Sequence, residues 1–105
     1  DKLRIIIDYN KLQSIDFVKN ILKIEPLKKK FISFGCKVIE IDGHNHFQLD
    51  KIVKIKSKKP IIIIANTIKG KGIKFMENKV LWHYKSLDLK NFNLAMEQIN
   101  EKNIY

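Results

Sequence analysis

The sequence predicts an α/β fold, with a mainly parallel sheet that carries helices on both faces. Three short apolar runs, at residues 3–8, 37–41 and 61–65, have the length and composition of strands. Two helical patterns separate these runs, so the order along the chain is strand, helix, strand, helix, strand. Consecutive crossovers of this kind place the strands parallel and cover the sheet with helices.

The first half of the chain begins with the most continuous of these runs. Residues 3–8 are typical of a strand that is buried on both faces. Residues 15–22 have a short and weak helical pattern. A better helix opens at Glu25-Pro26, because proline is favoured in a first turn, and Gly35 is a natural end for it.

The second half continues with the strand at residues 37–41. Asn45 is placed to cap the next helix, whose amphipathic pattern covers residues 47–58 and stops before Pro60. The run at residues 61–65 is apolar enough to be the central strand.

The chain then continues into a long segment, residues 66–86, with little periodicity. Glycines and aromatic side chains in this segment favour an ordered loop, and a loop of this length is usually functional. An amphipathic helix at residues 89–101 follows it.

Size and composition limit the classes of protein that the chain can represent. With 105 residues it is one domain or part of a larger one, and no apolar run approaches the ~20 residues of a membrane-spanning helix. The single cysteine, Cys36, excludes an internal disulfide and suits a cytoplasmic location.

The formal net charge of +10 has a simple explanation in base composition. Arg4 is the only arginine, and the abundant Lys, Ile and Asn are all encoded by A/T-rich codons. Proteins that read nucleic acids usually rely on arginine forks and stacked aromatic residues. Nucleic-acid binding therefore stays an alternative and not the leading interpretation.

Polar residues follow each predicted strand, at the edge where parallel sheets collect their ligands. Asn10 follows the first strand, His44 lies in the turn after the second, and Asn66 opens the loop after the third. Asn10 is compatible with two roles, a turn residue or a neutral oxygen ligand for a hard cation.

The loop after the third strand reads "NTIKGKGIKFMENKVLWH" and has the composition of an anion-binding segment. Glycines alternate with lysines at residues 69–72, which brings cationic side chains and an open backbone together. The segment matches neither the Walker pattern nor the dinucleotide fingerprint.

Three stretches together resemble transketolase. They are "DYNKLQ", "IEPLKKKFISFGCKVIEIDGH" and "KPIIIIANTIKGKGIKFMEN" with the "WH" pair that follows. The resemblance is to the later half of the diphosphate-binding domain, in the type of enzyme that is split into two subunits. It covers residues 1–105 and implies an incomplete thiamine-diphosphate-binding fold.

The resemblance implies a thiamine diphosphate site that is held through Mg²⁺ or Ca²⁺. It assigns the metal to the side-chain oxygen of Asn10 and the backbone carbonyl of Leu12, which are ligand types that hard cations prefer. It places Lys69 near the phosphates. His83 becomes the catalytic candidate, lining the cofactor and substrate channel, whereas His44 and His46 are expected to be structural.

The resemblance also implies partners. A pyrimidine-binding subunit or domain would supply the activating glutamate, and an upstream half would supply a Gly-Asp-Gly metal ligand. Together they would transfer a two-carbon ketol unit between sugar phosphates, and this chain alone would be inactive. Departures from the family at Asp16, Cys36 and Tyr84 keep a second possibility open, a degenerate partner that retains the fold without catalysis.

Overall fold

The computed structural model describes residues 3–101, and a three-stranded parallel sheet lies at its centre. The strands are β1 (Arg4–Tyr9), β2 (Lys37–Asp42) and β3 (Ile61–Asn66). Their order is β1-β3-β2, so β3 is central and pairs in parallel with both neighbours. The α/β class and the parallel sheet predicted from the sequence are confirmed.

Within residues 3–101, four helices and one 3-10 turn connect and follow the strands. They are α1 (Val18–Ile21), α2 (Leu27–Ser33), α3 (His46–Val53), the 3-10 turn Val80–His83 and α4 (Leu89–Glu101). The predicted helix at residues 15–22 is only one turn long. The helix predicted at residues 47–58 ends five residues early, although it begins as expected at its cap.

Two of the predicted helix boundaries have clear local causes. The Asn45 side chain accepts a hydrogen bond from the backbone N–H of Gln48 at 3.0 Å, which satisfies a donor that the first turn of α3 leaves free. Gly35 follows the end of α2 with a φ of 81°, a left-handed conformation that glycine adopts without strain.

Helices α2 and α3 lie on opposite faces of the sheet. Lys28 of α2 forms an ion pair of 3.8 Å with Glu40 of β2. The next residue of the strand, Ile41, is buried in one cluster with Ile52 of α3. Because neighbouring side chains in a strand point to opposite faces, the two contacts place the helices on both sides, as predicted.

The prediction that β1 is buried on both faces is wrong. Ile5 is 41% exposed and Ile6 is 59% exposed, whereas Ile61 to Ile64 of β3 are all buried. The reason is topological: β1 is an edge strand, and α2 and α3 pack on β2 at the other edge of the sheet.

The long segment after β3 is ordered, as its composition predicted. The Trp82 indole N–H donates to the carbonyl of Phe75 at 3.1 Å, and the two rings pack edge to face at 5.3 Å. The side chain of Gln98 in α4 accepts a hydrogen bond from the N–H of Lys74 at 2.7 Å. Across residues 3–101, no helix combines the length and the apolar character needed to span a membrane.

Candidate functional site

A small cavity at the carboxyl edge of the sheet brings together all four residues to which the resemblance assigned a site role. It has a volume of about 260 Å³ and lies between the turn after β1 and the segment that leads to the 3-10 turn. Its lining residues are Asn10, Leu12, Gln13, Ser14, Lys69, Val80 and His83. We refer to it as the smaller cavity.

Asn10 serves as a turn residue and keeps an acceptor position. Its side-chain oxygen accepts a hydrogen bond from the N–H of Leu12 at 2.9 Å, which closes a tight turn around Lys11. An amide oxygen has two lone pairs, and this bond uses one of them. The two roles that the sequence left open for Asn10 are therefore geometrically compatible.

The carbonyl of Leu12 points away from the segment around Phe17, with which Leu12 pairs. Leu12 and Phe17 form an isolated antiparallel bridge, whose hydrogen bonds are made by the residues on either side of them. In such a pair, the N–H and C=O of the central residue face outward. Within residues 3–101, no donor reaches the Leu12 oxygen, so it is free to accept.

These two oxygens fit one part of a divalent cation site. Both are neutral, both belong to residues that line the smaller cavity, and oxygen ligands of this kind suit Mg²⁺ or Ca²⁺. Over residues 3–101 there is no group of three or more His, Cys, Asp or Glu side chains that could hold a metal. The described residues therefore offer neutral ligands to a cation and no anionic cluster.

The glycines near Lys69 serve the folding of the loop itself. Gly70 has a φ of 72°, and a Cβ there would lie 2.8 Å from the Cβ of Met76. The N–H of Gly72 donates to the side chain of Glu77 at 3.1 Å, and the N–H of Lys71 donates to the carbonyl of Ile68 at 3.1 Å. The amides of Lys71 and Gly72 therefore have partners inside the loop, and the lysine side chains are the charged groups that the loop offers to an anion.

His83 is the last residue of the 3-10 turn and lines the smaller cavity. Its neighbour Trp82 is fixed by the contacts with Phe75, so the backbone that carries the histidine is anchored. His83 itself is exposed, which leaves the imidazole accessible to a ligand in the cavity.

A larger cavity of about 900 Å³ adjoins the smaller one and shares Asn10 with it. Its lining includes Tyr9, Glu25, His44, Asn66 and Thr67. No motif in the sequence indicated a site role for Tyr9, Glu25 or Thr67. The position of Glu25 before a proline pointed only to a helix start, and nothing in the sequence showed that it lies near Tyr9.

Tyr9 and Glu25 shift each other's ionisation. Burial raises the pKa of the Tyr9 hydroxyl to about 12, and a hydrogen bond to Glu25 and its negative charge add to the effect. The same hydrogen bond lowers the pKa of the Glu25 carboxyl, helped by the backbone N–H of Leu27, which donates to it at 2.8 Å. The pair joins the last residue of β1 to the start of α2.

Comparisons with known proteins give a consistent result. No family model matches the chain. It is 40% identical over 104 residues to one of the subunits of an apulose-4-phosphate transketolase from Actinobacillus succinogenes, covering 97% of this chain and 38% of the relative. It is 35% identical to the 6-deoxy-6-sulfo-D-fructose transketolase subunit SqwG of a Clostridium species, again over 97% of this chain and 38% of the relative.

The fold agrees with these sequence matches. A crystal structure of transketolase from Campylobacter jejuni superposes with a TM-score of 0.84 and 29% identity, covering 93% of this chain and 16% of that one. The sheet and its helices therefore have the transketolase fold. The chain is homologous to transketolases over almost its whole length, as the sequence resemblance indicated, and it spans about two fifths of the subunits that it matches.

Proposed function

We propose that the chain is part of a thiamine-diphosphate-dependent transketolase, and that the smaller cavity holds the metal and diphosphate end of the cofactor. Residues 1–105 would form the later half of the diphosphate-binding domain. The observation that carries the proposal is the convergence of Asn10, Leu12, Lys69 and His83, from two distant segments, on one cavity.

Asn10 and Leu12 would bind the divalent cation, Mg²⁺ or Ca²⁺. Their oxygens carry no formal charge, so the cation keeps its attraction for the diphosphate oxygens that complete its coordination. The anionic ligand would come from a Gly-Asp-Gly segment outside the described residues. Lys69 would neutralise phosphate charge, since its ammonium group can donate to several oxygens.

His83, which lines the same cavity, would contact the diphosphate or the sugar substrate. A neutral imidazole has one donor and one acceptor nitrogen, so His83 can orient a sugar hydroxyl or a diphosphate oxygen. The same ring can accept a proton from the substrate or return one to it. Thiamine diphosphate, when bound, supplies the stabilised carbanion needed to transfer a two-carbon unit between sugar phosphates.

The proposed enzyme requires a second polypeptide or domain. Two of the relatives are named as individual subunits of an apulose-4-phosphate transketolase, which implies a further subunit in those enzymes. For this chain we propose a pyrimidine-binding subunit or domain that supplies the activating glutamate, and a cytoplasmic location for the assembly. The chain alone would be inactive.

The metal assignment is tested by comparing Asn10→Ala with Asn66→Ala in the intact protein. Asn10→Ala should raise the Mg²⁺ concentration needed for thiamine diphosphate binding by about tenfold or more, because it removes a ligand. Asn66 is the last residue of β3 and lies outside the smaller cavity, and its side chain donates a long bond of 3.4 Å to the carbonyl of Ile41. Calorimetric titrations at several Mg²⁺ concentrations measure both variants. An unchanged Mg²⁺ dependence in Asn10→Ala contradicts the metal assignment.

The assignment of His83 predicts a loss of turnover that exceeds the loss of cofactor binding. His83→Ala should lower kcat by about 100-fold, a typical contribution of a group that transfers protons. His46→Ala is the matched control, since His46 is exposed at the start of α3 and lies outside both cavities. Steady-state kinetics with a ketose phosphate donor separates the two variants. Equal kcat values for them would remove His83 from the catalytic site.

Thiamine diphosphate titration and a salt series of nucleic-acid binding distinguish the two alternatives that the sequence leaves open. An intact protein that binds thiamine diphosphate neither with nor without Mg²⁺ is a degenerate partner. Binding to nucleic acid that falls steeply with rising salt would instead support a role for the charge of +10.

A further inference from the structure

The loop that carries Lys69 is held at its start by both outer strands of the sheet. On the β1 side, the N–H of Thr67 donates to the carbonyl of Tyr9 at 3.2 Å, and the Thr67 hydroxyl donates to the Asp8 carboxylate. On the β2 side, the N–H of Ile68 donates to Nε2 of His44 at 2.7 Å. The two residues before Lys69 are therefore fixed from opposite directions.

His44 is itself held in place by the turn after β2. The backbone N–H of His44 donates to the Asp42 carboxylate at 2.9 Å, and the backbone N–H of Gly43 donates to the carbonyl of Asn66 at 2.8 Å. Gly43 packs so closely on the end of β3 that an added Cβ would lie 2.5 Å from Cγ2 of Thr67. The imidazole therefore meets the loop from a rigid turn.

The hydrogen bond to Ile68 defines the form of the imidazole. A backbone N–H can only donate, so Nε2 of His44 must be the acceptor, and the ring proton must lie on Nδ1. A ring with its proton on Nε2 could not accept this bond.

We propose that His44 is a positioning residue for the functional site. Its Nε2 atom holds the amide of Ile68 and so fixes the backbone from which Lys69 reaches the smaller cavity. His44 lines the larger cavity and does not line the smaller one, so it acts through the loop and not by contact with the metal or diphosphate. The part of this inference that concerns cofactor binding depends on the function proposed above for Lys69.

The first experiment uses the unmodified protein. Nitrogen NMR of the histidine rings in the intact protein at neutral pH should show His44 with its proton on Nδ1 and a through-hydrogen-bond coupling between Nε2 and the amide nitrogen of Ile68. A His44 ring with its proton on Nε2 overturns the proposal without any variant that has to fold.

The second experiment compares His44→Ala and His44→Gln with the control His46→Gln. Loss of the acceptor should speed amide hydrogen exchange at Ile68 about three- to tenfold, the typical net worth of one hydrogen bond. It should weaken Mg²⁺-dependent thiamine diphosphate binding by a similar factor. Glutamine can place its side-chain oxygen near the position of Nε2, so His44→Gln should recover part of both effects. His46→Gln should change neither.

The two readouts distinguish the failure of this proposal from the failure of the proposed function. Unchanged exchange at Ile68 in His44→Ala overturns the positioning role, whatever the protein binds. Faster exchange with unchanged cofactor affinity also overturns it, because the loop would then be loosened without effect on the site. Wild-type protein that binds no thiamine diphosphate contradicts the proposed function, and together with faster exchange it supports His44 as the residue that orders the loop.

Discussion

The first and third strands are nearly alike in sequence and opposite in burial. β1 reads RIIIDY and β3 reads IIIIAN. Ile63 of β3 is 1% exposed, whereas its register partner in β1, Ile6, is 59% exposed. A run of isoleucines therefore predicts a strand, whereas the neighbours of that strand decide how much of it is buried.

The segments that follow the two strands also differ, in how firmly each is held by the sheet. After β1 the chain turns at once around Lys11, and the residues on either side of it, Asn10 and Leu12, carry the two candidate ligand oxygens. After β3 the chain is tied to both neighbouring strands before it reaches Lys69. The exposed strand therefore leads to the candidate metal ligands, and the buried strand leads to the anchored loop.

The largest predicted effect comes from truncating the two register partners. Ile63→Ala should lower the free energy of unfolding by about 2–5 kcal/mol, because it leaves a cavity in a close-packed core. Ile6→Ala should cost less than about 1 kcal/mol, since more than half of that side chain is already in solvent. Denaturant unfolding of the intact protein measures both values. Equal losses would show that another part of the protein covers β1.

Most of the fold could be predicted from the sequence because its signals are local. Apolar runs, the cap at Asn45 and the stop at Gly35 each depend on a few neighbouring residues. The burial of β1 could not be predicted in this way, because strand order depends on which strands pair. The helix at residues 47–58 ended early, at Val53, where Arg4 of β1 donates to the backbone carbonyls of Val53 and Ile55 at 2.5 Å.

The candidate site was predicted only in part, for a similar reason. Asn10, Leu12, Lys69 and His83 came from motifs, and the structure adds that they line one cavity. His44 was assigned a structural role, but its bond to Ile68 joins residues 24 positions apart and leaves no local pattern. Contacts of this kind depend on the order β1-β3-β2, which brings the ends of all three strands together.

A smaller effect should follow from relieving the turn after β1. Lys11 has a φ of 63°, in the left-handed region that costs a residue with a side chain about 1 kcal/mol or more. Lys11→Gly should therefore raise the free energy of unfolding, by up to about 1 kcal/mol after the greater entropy of glycine in the unfolded chain is subtracted. Lys19→Gly is a control, because Lys19 lies in a helix and glycine there should destabilise. A loss of stability in Lys11→Gly would show that the side chain of Lys11 does more for the fold than its backbone costs.

At neutral pH the smallest effect concerns Tyr9, at the end of β1, because its contribution changes only above about pH 10. Its pKa is about 12 in the folded protein against 10.0 for an ordinary tyrosine, so the folded state retains the proton over a range where the unfolded state has lost it. Stability should therefore be unaffected by Tyr9 below pH 10 and should fall as the pH rises from about 10 to 12. Tyr9→Phe should remove this part of the alkaline loss, and unfolding measured at several pH values compares the two proteins. Glu25→Gln should remove only a minor part of it, because burial is the largest cause of the raised pKa. Identical alkaline profiles for the wild type and Tyr9→Phe would mean that the end of β1 is as open to solvent as its middle.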